Sequence, residues 1–126
     1  MMKIHLLVFT FILVTCICPA AFSQKCTEKV SNVIVVTNAY GPKIISKPEP
    51  EYTEEARRHG TMGTVVLRGL FHRSGKVMNV CWVTSLPDGL TENAIKAAYQ
   101  ITFEPVTKNG EKISVKRFIE YNFSLY

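Results

Sequence analysis

Four side chains beyond the amino-terminal stretch could bind a metal ion or carry out covalent chemistry: Cys26, His59, His72 and Cys81. Structural zinc sites use closely spaced ligand pairs such as Cys-x-x-Cys, whereas these four residues stand singly along the chain. We therefore predict no metal site. His59, near a helix end, and His72, in a strand, are interpreted as surface residues, with His59 favourably placed against the helix dipole.

An enzyme would use Cys81 as its nucleophile, since His72 comes near it across a predicted hairpin and could act as the base. No motif around either residue supports that role, and a disulfide at Cys81 would block it. The sequence also has no glycine-rich phosphate loop. We predict that the chain is not an enzyme and needs no cofactor.

The cysteines beyond the amino-terminal stretch form an even pair, Cys26 and Cys81. In an oxidising compartment such a pair favours a disulfide, and two free thiols are the alternative. Closing a loop of that length stabilises a fold by about 4 kcal/mol in the chain-entropy treatment.

The chain has 126 residues and a formal net charge of +5, with its cations scattered along the sequence. This length suits one domain. A nucleic-acid-binding chain would cluster its cations beside aromatic residues. We therefore interpret the charge as a solvated surface and predict no nucleic-acid partner.

The amino-terminal stretch, residues 1–23, has the order of a secretory signal peptide: a basic residue, an apolar run over residues 4–18, and small residues at Ala21 and Ser23. We predict export to the periplasm with cleavage after Ser23. The alternative is an inner-membrane anchor through residues 4–22, although a spanning helix uses about 20 apolar residues.

A lipoprotein attached at Cys16 is a third possibility for this stretch, and the bulky Thr15 before that cysteine argues against it. Residues 24–46 are interpreted as a leader, in which the β-branched run over residues 30–36 predicts a short strand. The two prolines in residues 47–51 keep the chain extended. We place the folded domain at residues 47–126.

The domain begins with a predicted helix over residues 54–59, capped by Thr53 and stopped by Gly60. A hairpin follows, with strands over 64–73 and 77–84. In its second strand, burial of Val77, Val80 and Trp82 requires a bulge, which leaves Cys81 on the more open face.

A second helix is predicted over residues 90–101, with Thr91 as its N-cap. A turn follows at residues 108–111, and the final strand runs from 113 to about 125. Alternation along that strand predicts one buried and one wet face.

These elements predict an α+β fold: a three-stranded antiparallel sheet with two helices on one face, in the order helix, strand, strand, helix, strand. A right-handed crossover places the final strand beside the first, so it lies at an edge. An edge strand is a template for another strand. The predicted partner-binding residues alternate on its wet face: Lys116, Phe118, Glu120 and Asn122. The alternative is an edge without a partner, kept soluble by Lys116 and Glu120.

Several short motifs follow one another along the chain. They are PEYTEEAR at 50–57, GTVV at 63–66, GKV at 75–77, Ser85, LTENA at 90–94, FEP at 103–105, NG at 109–110 and YNF at 121–123. This ordered set resembles the TonB carboxyl-terminal domain family over residues 47–126. The resemblance implies protein–protein binding, in which the domain holds an extended segment of an outer-membrane transporter or another envelope protein by strand addition.

The chain departs from the family pattern in three respects. Thr53 stands where the family usually has proline, a long proline-rich spacer is missing, and the first residues lack the paired polar side chains of a motor-coupled anchor. We therefore expect a binding module linked to TonB-dependent transport rather than one that transmits force itself. The alternative is a structural envelope protein that uses the same edge strand to form a homodimer.

Overall fold

The computed structural model describes residues 23–27 and 41–126. The predicted strand at 30–36 and all but the last residue of the predicted signal peptide lie outside these residues.

Two helices and seven strands follow one another in the described chain. They are β1 (Lys43–Ser46), α1 (Glu54–His59), β2 (Gly63–Phe71), β3 (Val77–Thr84), α2 (Leu90–Tyr99), β4 (Thr102–Glu104), β5 (Val106–Lys108), β6 (Glu111–Ile113) and β7 (Val115–Phe123).

The central sheet has three antiparallel strands in the order β3-β2-β7. β2 pairs with β7 along its whole length, from Gly63 opposite Phe123 to Phe71 opposite Val115. α2 packs against β2 and β3. The predicted α+β class, the sheet order and the edge position of the final strand are confirmed.

The core lies between α2 and the inner face of the sheet. β2 contributes alternate residues to it, because successive strand side chains point to opposite faces. The small alanines of α2 let the helix approach the sheet closely. The buried apolar residues include Val65, Leu67, Phe71, Ala94, Ala97, Ala98, Ile101, Phe103, Ile119, Tyr121 and Phe123.

The β2–β3 pairing contains the predicted bulge. Arg68 stands opposite Cys81 and Leu70 opposite Met78, so the two residues between them in β3 are out of register. Asn79, one of these two, has a φ of 51°, a left-handed conformation that asparagine tolerates better than most residues. The bulge turns Val77 into the core.

The helix ends agree with the sequence at α1 and differ at α2. Thr53 Oγ1 accepts a hydrogen bond from the backbone N–H of Ala56, and Gly60 ends α1 with a φ of 65°. At α2 the prediction of Thr91 as the N-cap is wrong, because Gly89 occupies that position. The Thr91 hydroxyl instead bonds the backbone of Leu86, through both its N–H and its C=O at 2.8 Å.

The predicted final strand is also interrupted. Residues 111–113 form β6, which pairs with β5, and β7 starts only at Val115. Asn109 and Gly110 have φ values of 52° and 80°, the two left-handed residues that a tight hairpin turn requires. This hairpin draws Ile113 away from the central sheet.

A second small ribbon joins β1 to β4 in antiparallel pairing. β1 lies inside the stretch interpreted as a leader, and β4 lies where the sequence indicated only the end of a helix. α2 itself ends at Tyr99, two residues earlier than predicted.

Candidate functional site

The outer edge of β7 is the candidate site, since β7 pairs with β2 along its other edge. The structure places the four predicted partner-binding residues on the open face of this strand: Lys116, Phe118, Glu120 and Asn122. The Phe118 side chain is 50% exposed, and Glu120 and Asn122 are exposed too. Lys116 is half-buried.

The direction of the β7 backbone follows from one hydrogen bond. Lys47 Nζ donates to the carbonyl oxygen of Glu120 at 2.8 Å, so this carbonyl points away from β2. In an antiparallel strand, successive residues direct their backbone groups to opposite sides. The N–H and C=O groups of Phe118 and Asn122 therefore also point outward, where another strand could pair with them.

A groove runs along the carboxyl-terminal half of this edge. One wall is the extended segment that leads from Lys47 to Tyr52, and the other is formed by residues 120–124. Two prolines in the segment hold it extended. Tyr52 anchors its far end, because its hydroxyl donates to the carbonyl of Thr61 and its ring meets Phe123 edge to face at 5.6 Å.

Side chains also tie this part of the chain to β7. Arg117 Nη1 donates to the carbonyl of Pro42 at 3.4 Å, and Lys47 Nζ lies 4.6 Å from the centre of the Tyr121 ring. Tyr121 is buried, and its hydroxyl has no hydrogen-bond partner among the described residues. Burial raises the pKa of Tyr121 to about 12.

The opposite edge of the sheet, on β3, is partly occupied by the chain itself. Residues 23–27 run parallel to β3, and the backbone of Trp82 accepts from Cys26 N–H and donates to Gln24 C=O, each at 2.9 Å. A disulfide joins Cys26 to Cys81, and the Trp82 indole donates to Ser23 C=O. The sheet thus has one edge with a bound segment and one with a groove.

The family of the chain follows from comparison with known proteins. A family model described as Gram-negative bacterial TonB protein C-terminal matches residues 48–125. The chain belongs to this TonB carboxyl-terminal family. Domains of this family are periplasmic protein-interaction modules of the cell envelope that are linked to TonB-type transport.

A solved structure is similar to this TonB-type domain in fold. The solution NMR structure of the Pseudomonas aeruginosa TonB CTD has a TM-score of 0.58 and 19% sequence identity. The match covers 70% of this chain and 90% of that one. No curated protein matches the chain. Across residues 23–27 and 41–126, no helix has the length and apolar character to cross a membrane.

The histidines and cysteines of the TonB-type domain are held apart in separate structural contacts. His59 Nδ1 lies 3.1 Å from Asp88 Oδ1, and His72 Nδ1 lies 2.7 Å from the hydroxyl of Ser74 in the hairpin turn. In the part of the chain that the structure describes, no three metal-binding side chains come together. The sulfur of Cys81 is bonded to Cys26.

Asp88 is a polar centre that the sequence reasoning missed. Its carboxylate accepts from the Thr61 hydroxyl at 2.6 Å, and its backbone carbonyl accepts from the Thr53 hydroxyl at 2.6 Å. The hydrogen bond from Thr61, with a further contribution from His59, lowers the pKa of Asp88. Asp88 thereby ties both ends of α1 to the loop before α2. The Pro-Asp-Gly order at 87–89 was the available sequence signal, since it is typical of a turn.

Proposed function

We propose that this TonB-type domain binds an extended segment of an outer-membrane transporter, or of another envelope protein, by strand addition to the outer edge of β7. The observation that carries the proposal is the Glu120 carbonyl, which points out of the sheet and takes its hydrogen bond from a side chain. A partner strand would offer backbone N–H groups to this carbonyl and to those of Phe118 and Asn122.

The two edges of the sheet differ in a way that supports β7 as the docking edge. The backbone of Trp82 in β3 is already paired with residues 24 and 26, and the disulfide at Cys81 holds that pairing in place. An incoming strand on β3 would have to displace a covalently attached segment. On β7 it meets the side chain of Lys47 instead.

The side chains on the open face of β7 would select the partner sequence. Phe118 offers an apolar surface, while Glu120 and Asn122 offer an acceptor and an amide beside it, and Lys116 extends the same row. In strand addition, backbone bonds supply affinity and alternate side chains supply specificity. We assign the partner-selecting role to these four residues.

A pair of proline variants tests the docking edge. Phe118→Pro removes an N–H that points away from β2, so it should weaken partner binding at least tenfold and lower the melting temperature only slightly. Arg117→Pro is the matched control. The Arg117 N–H points toward β2, so Arg117→Pro should destabilise the fold more than Phe118→Pro does, through loss of a ladder bond.

Binding is measured by fluorescence anisotropy with labelled synthetic peptides from the periplasmic amino-terminal segments of outer-membrane transporters of the same bacterium. Folding is measured by circular dichroism. Equal losses of stability in the two proline variants, or unchanged peptide binding by Phe118→Pro, would contradict docking on β7.

Self-association through the same edge is the competing function, and the half-exposed Phe118 ring is the observation that favours it. Two β7 edges from separate copies would then pair with each other. Size-exclusion chromatography with light scattering distinguishes the two functions. A monomer that binds transporter peptides supports the first, and a dimer indifferent to them supports the second.

We also propose that the domain reaches the periplasm behind a cleaved signal peptide that ends at Ser23. Mass spectrometry of the exported protein should then find an amino terminus at Gln24. A chain that still begins at Met1 would favour an inner-membrane anchor through residues 4–22.

A further inference from the structure

Lys47 is hydrogen-bonded to the Glu120 carbonyl, an acceptor that a partner strand on β7 would use. Its ammonium donates to the Glu120 carbonyl at 2.8 Å, and this carbonyl is an outward-pointing group where the groove edge begins. A backbone N–H arriving from a partner would compete for the same oxygen. Strand addition at this point therefore requires the Lys47 side chain to move.

The Lys47 side chain has a favourable place to remain after it releases the carbonyl. Its ammonium lies over the face of the Tyr121 ring at 4.6 Å, which attracts the cation through the electron-rich π surface. The Lys47 side chain is exposed to solvent on its other side. The displaced ammonium would therefore stay at the mouth of the groove, beside the incoming strand.

The charges around the groove determine what this ammonium would pair with. Glu49 and Glu120 are the two carboxylates that line the groove, and both are exposed. Neither makes a salt bridge with Lys47 within 4.0 Å among the described residues. A partner carboxylate placed next to Lys47 would gain a counter-ion, whereas one placed elsewhere along the groove would face Glu49 or Glu120.

We propose that Lys47 is a specificity-determining latch: it closes the β7 edge in the free domain and, once displaced, selects a partner segment that places one carboxylate next to Lys47 and away from Glu49 and Glu120. The inference rests on the proposed function of the β7 edge and adds the chemistry of the partner. A neutral segment displaces Lys47 from the Glu120 carbonyl and leaves its ammonium without a counter-ion. An acidic segment gives the displaced ammonium an ion pair.

The test uses Lys47→Met, which keeps an unbranched side chain over the Tyr121 ring and removes the donor and the charge. Lys76→Met is the matched control, since Lys76 is an exposed cation beside Val77, at the end of the sheet opposite the groove. The probes are fluorescein-labelled ten-residue peptides from the transporter segments. One Asp or one Asn is placed at each position of the tightest-binding peptide in turn.

Wild-type protein should bind one Asp peptide about three- to fivefold more tightly than its Asn counterpart, the size expected for a partly exposed ion pair. Lys47→Met should lose this preference and bind the Asn peptide more tightly than wild type does. Lys76→Met should behave as wild type. Without any peptide, the carbonyl carbon resonance of Glu120 should shift in Lys47→Met and not in Lys76→Met.

Two failures are distinguishable. If wild type binds the peptides at the β7 edge but Lys47→Met retains the Asp preference and gains no affinity for the Asn peptide, the latch is overturned and the docking edge stands. If wild type binds none of the peptides, the docking proposal fails, and the partner selection assigned to Lys47 fails with it.

Discussion

Tyr121 has a buried polar group that lowers the stability of the fold. Its hydroxyl is buried without a hydrogen-bond partner among the described residues, although its ring packs in the core below Lys47. A buried hydroxyl that loses its water without gaining a protein partner costs about 1–3 kcal/mol. The ring, rather than the hydroxyl, therefore accounts for the stabilising contribution of this residue.

Replacing Tyr121 with phenylalanine should consequently raise the free energy of unfolding by about 1 kcal/mol in urea titrations at neutral pH. Tyr52→Phe is the matched control and should lower it by a similar amount, because the Tyr52 hydroxyl donates to the carbonyl of Thr61. A Tyr121→Phe variant that is less stable than wild type would show that the hydroxyl has a partner.

The free energies of unfolding of wild type and Tyr121→Phe should differ even more at alkaline pH. Burial raises the folded-state pKa of Tyr121 from 10.0 to about 12, so the unfolded chain ionises first as the pH rises. Ionisation of Tyr121 therefore leaves the free energy of unfolding of wild type unchanged below pH 10 and lowers it progressively between pH 10 and 12. The stability difference between Tyr121→Phe and wild type should widen over this interval. A constant difference would contradict burial of the hydroxyl.

Asp88 gives a second, opposite pH dependence. The hydrogen bond from Thr61 and the neighbouring His59 lower its pKa below the ordinary value of 3.8, so its stabilising contribution is present above that value and disappears as the pH falls below it. Asn tolerates the φ of 64° at this position. The melting-temperature difference between wild type and Asp88→Asn should therefore shrink below pH 4, and a difference independent of pH would contradict this role.

Among the helices and strands, the sequence predicted correctly those ends that are fixed by hydrogen bonds to neighbouring residues. Thr53 and Gly60 fix both ends of α1 through bonds within the same turn, and the sequence located them correctly. Thr91 was misassigned because its hydroxyl bonds Leu86, in the loop before the helix, where it serves tertiary packing. The break at Ser114 was missed for a similar reason, since its hydroxyl accepts from Arg73 N–H in a distant turn.

The sequence predicted the strand of the candidate site, β7. It did not predict the segment from Lys47 to Tyr52 that forms the other wall of the groove. Alternation along residues 115–123 identified the open face, and the crossover rule put this strand at an edge. The approach of Lys47 to Glu120 joins residues far apart in sequence, and no local pattern encodes it. The pairing of residues 23–27 with β3 was equally hidden, although the cysteine count had suggested the bond that holds it.

Close packing between the strands makes Gly69 sensitive to substitution. A Cβ atom at Gly69 would lie 3.2 Å from Val77 Cγ1 and 3.3 Å from Ile119 Cδ1. Gly69→Ala should therefore destabilise the domain by about 1–3 kcal/mol in chemical denaturation, the cost of overpacking a core. Adding Val77→Ala should recover part of this loss, so that the double variant is more stable than the sum of the singles predicts. Strict additivity would contradict a steric cause.

At the scale of the whole molecule, one covalent bond connects the amino-terminal residues to the sheet. The Cys26–Cys81 disulfide spans 55 residues and holds the short parallel pairing at Trp82. The disulfide therefore reduces the conformational entropy of the unfolded chain, and it keeps residues 24–26 paired with the β3 edge. A chain that begins at Gln24 should contain no free sulfhydryl when it is unfolded without reductant, and two titratable thiols would contradict the bridge.

Replacing both cysteines with serine should lower the free energy of unfolding by about 4 kcal/mol in the chain-entropy treatment. It should also increase the exchange rate of the Trp82 amide hydrogen, whose partner is Gln24 C=O. Affinity for transporter peptides should stay within twofold of wild type wherever the double variant remains folded, because the proposed docking edge, β7, lies on the other side of the sheet.

Amide hydrogen exchange of the oxidised protein, with and without a bound transporter peptide, tests the proposed docking edge most directly. The amides of Phe118 and Asn122 point away from β2, so the peptide should slow their exchange at least tenfold, while the Trp82 amide on β3 should be unchanged. Protection that appears along β3, or binding that leaves the amides of Phe118 and Asn122 exchanging at their free rates, would contradict strand addition on β7.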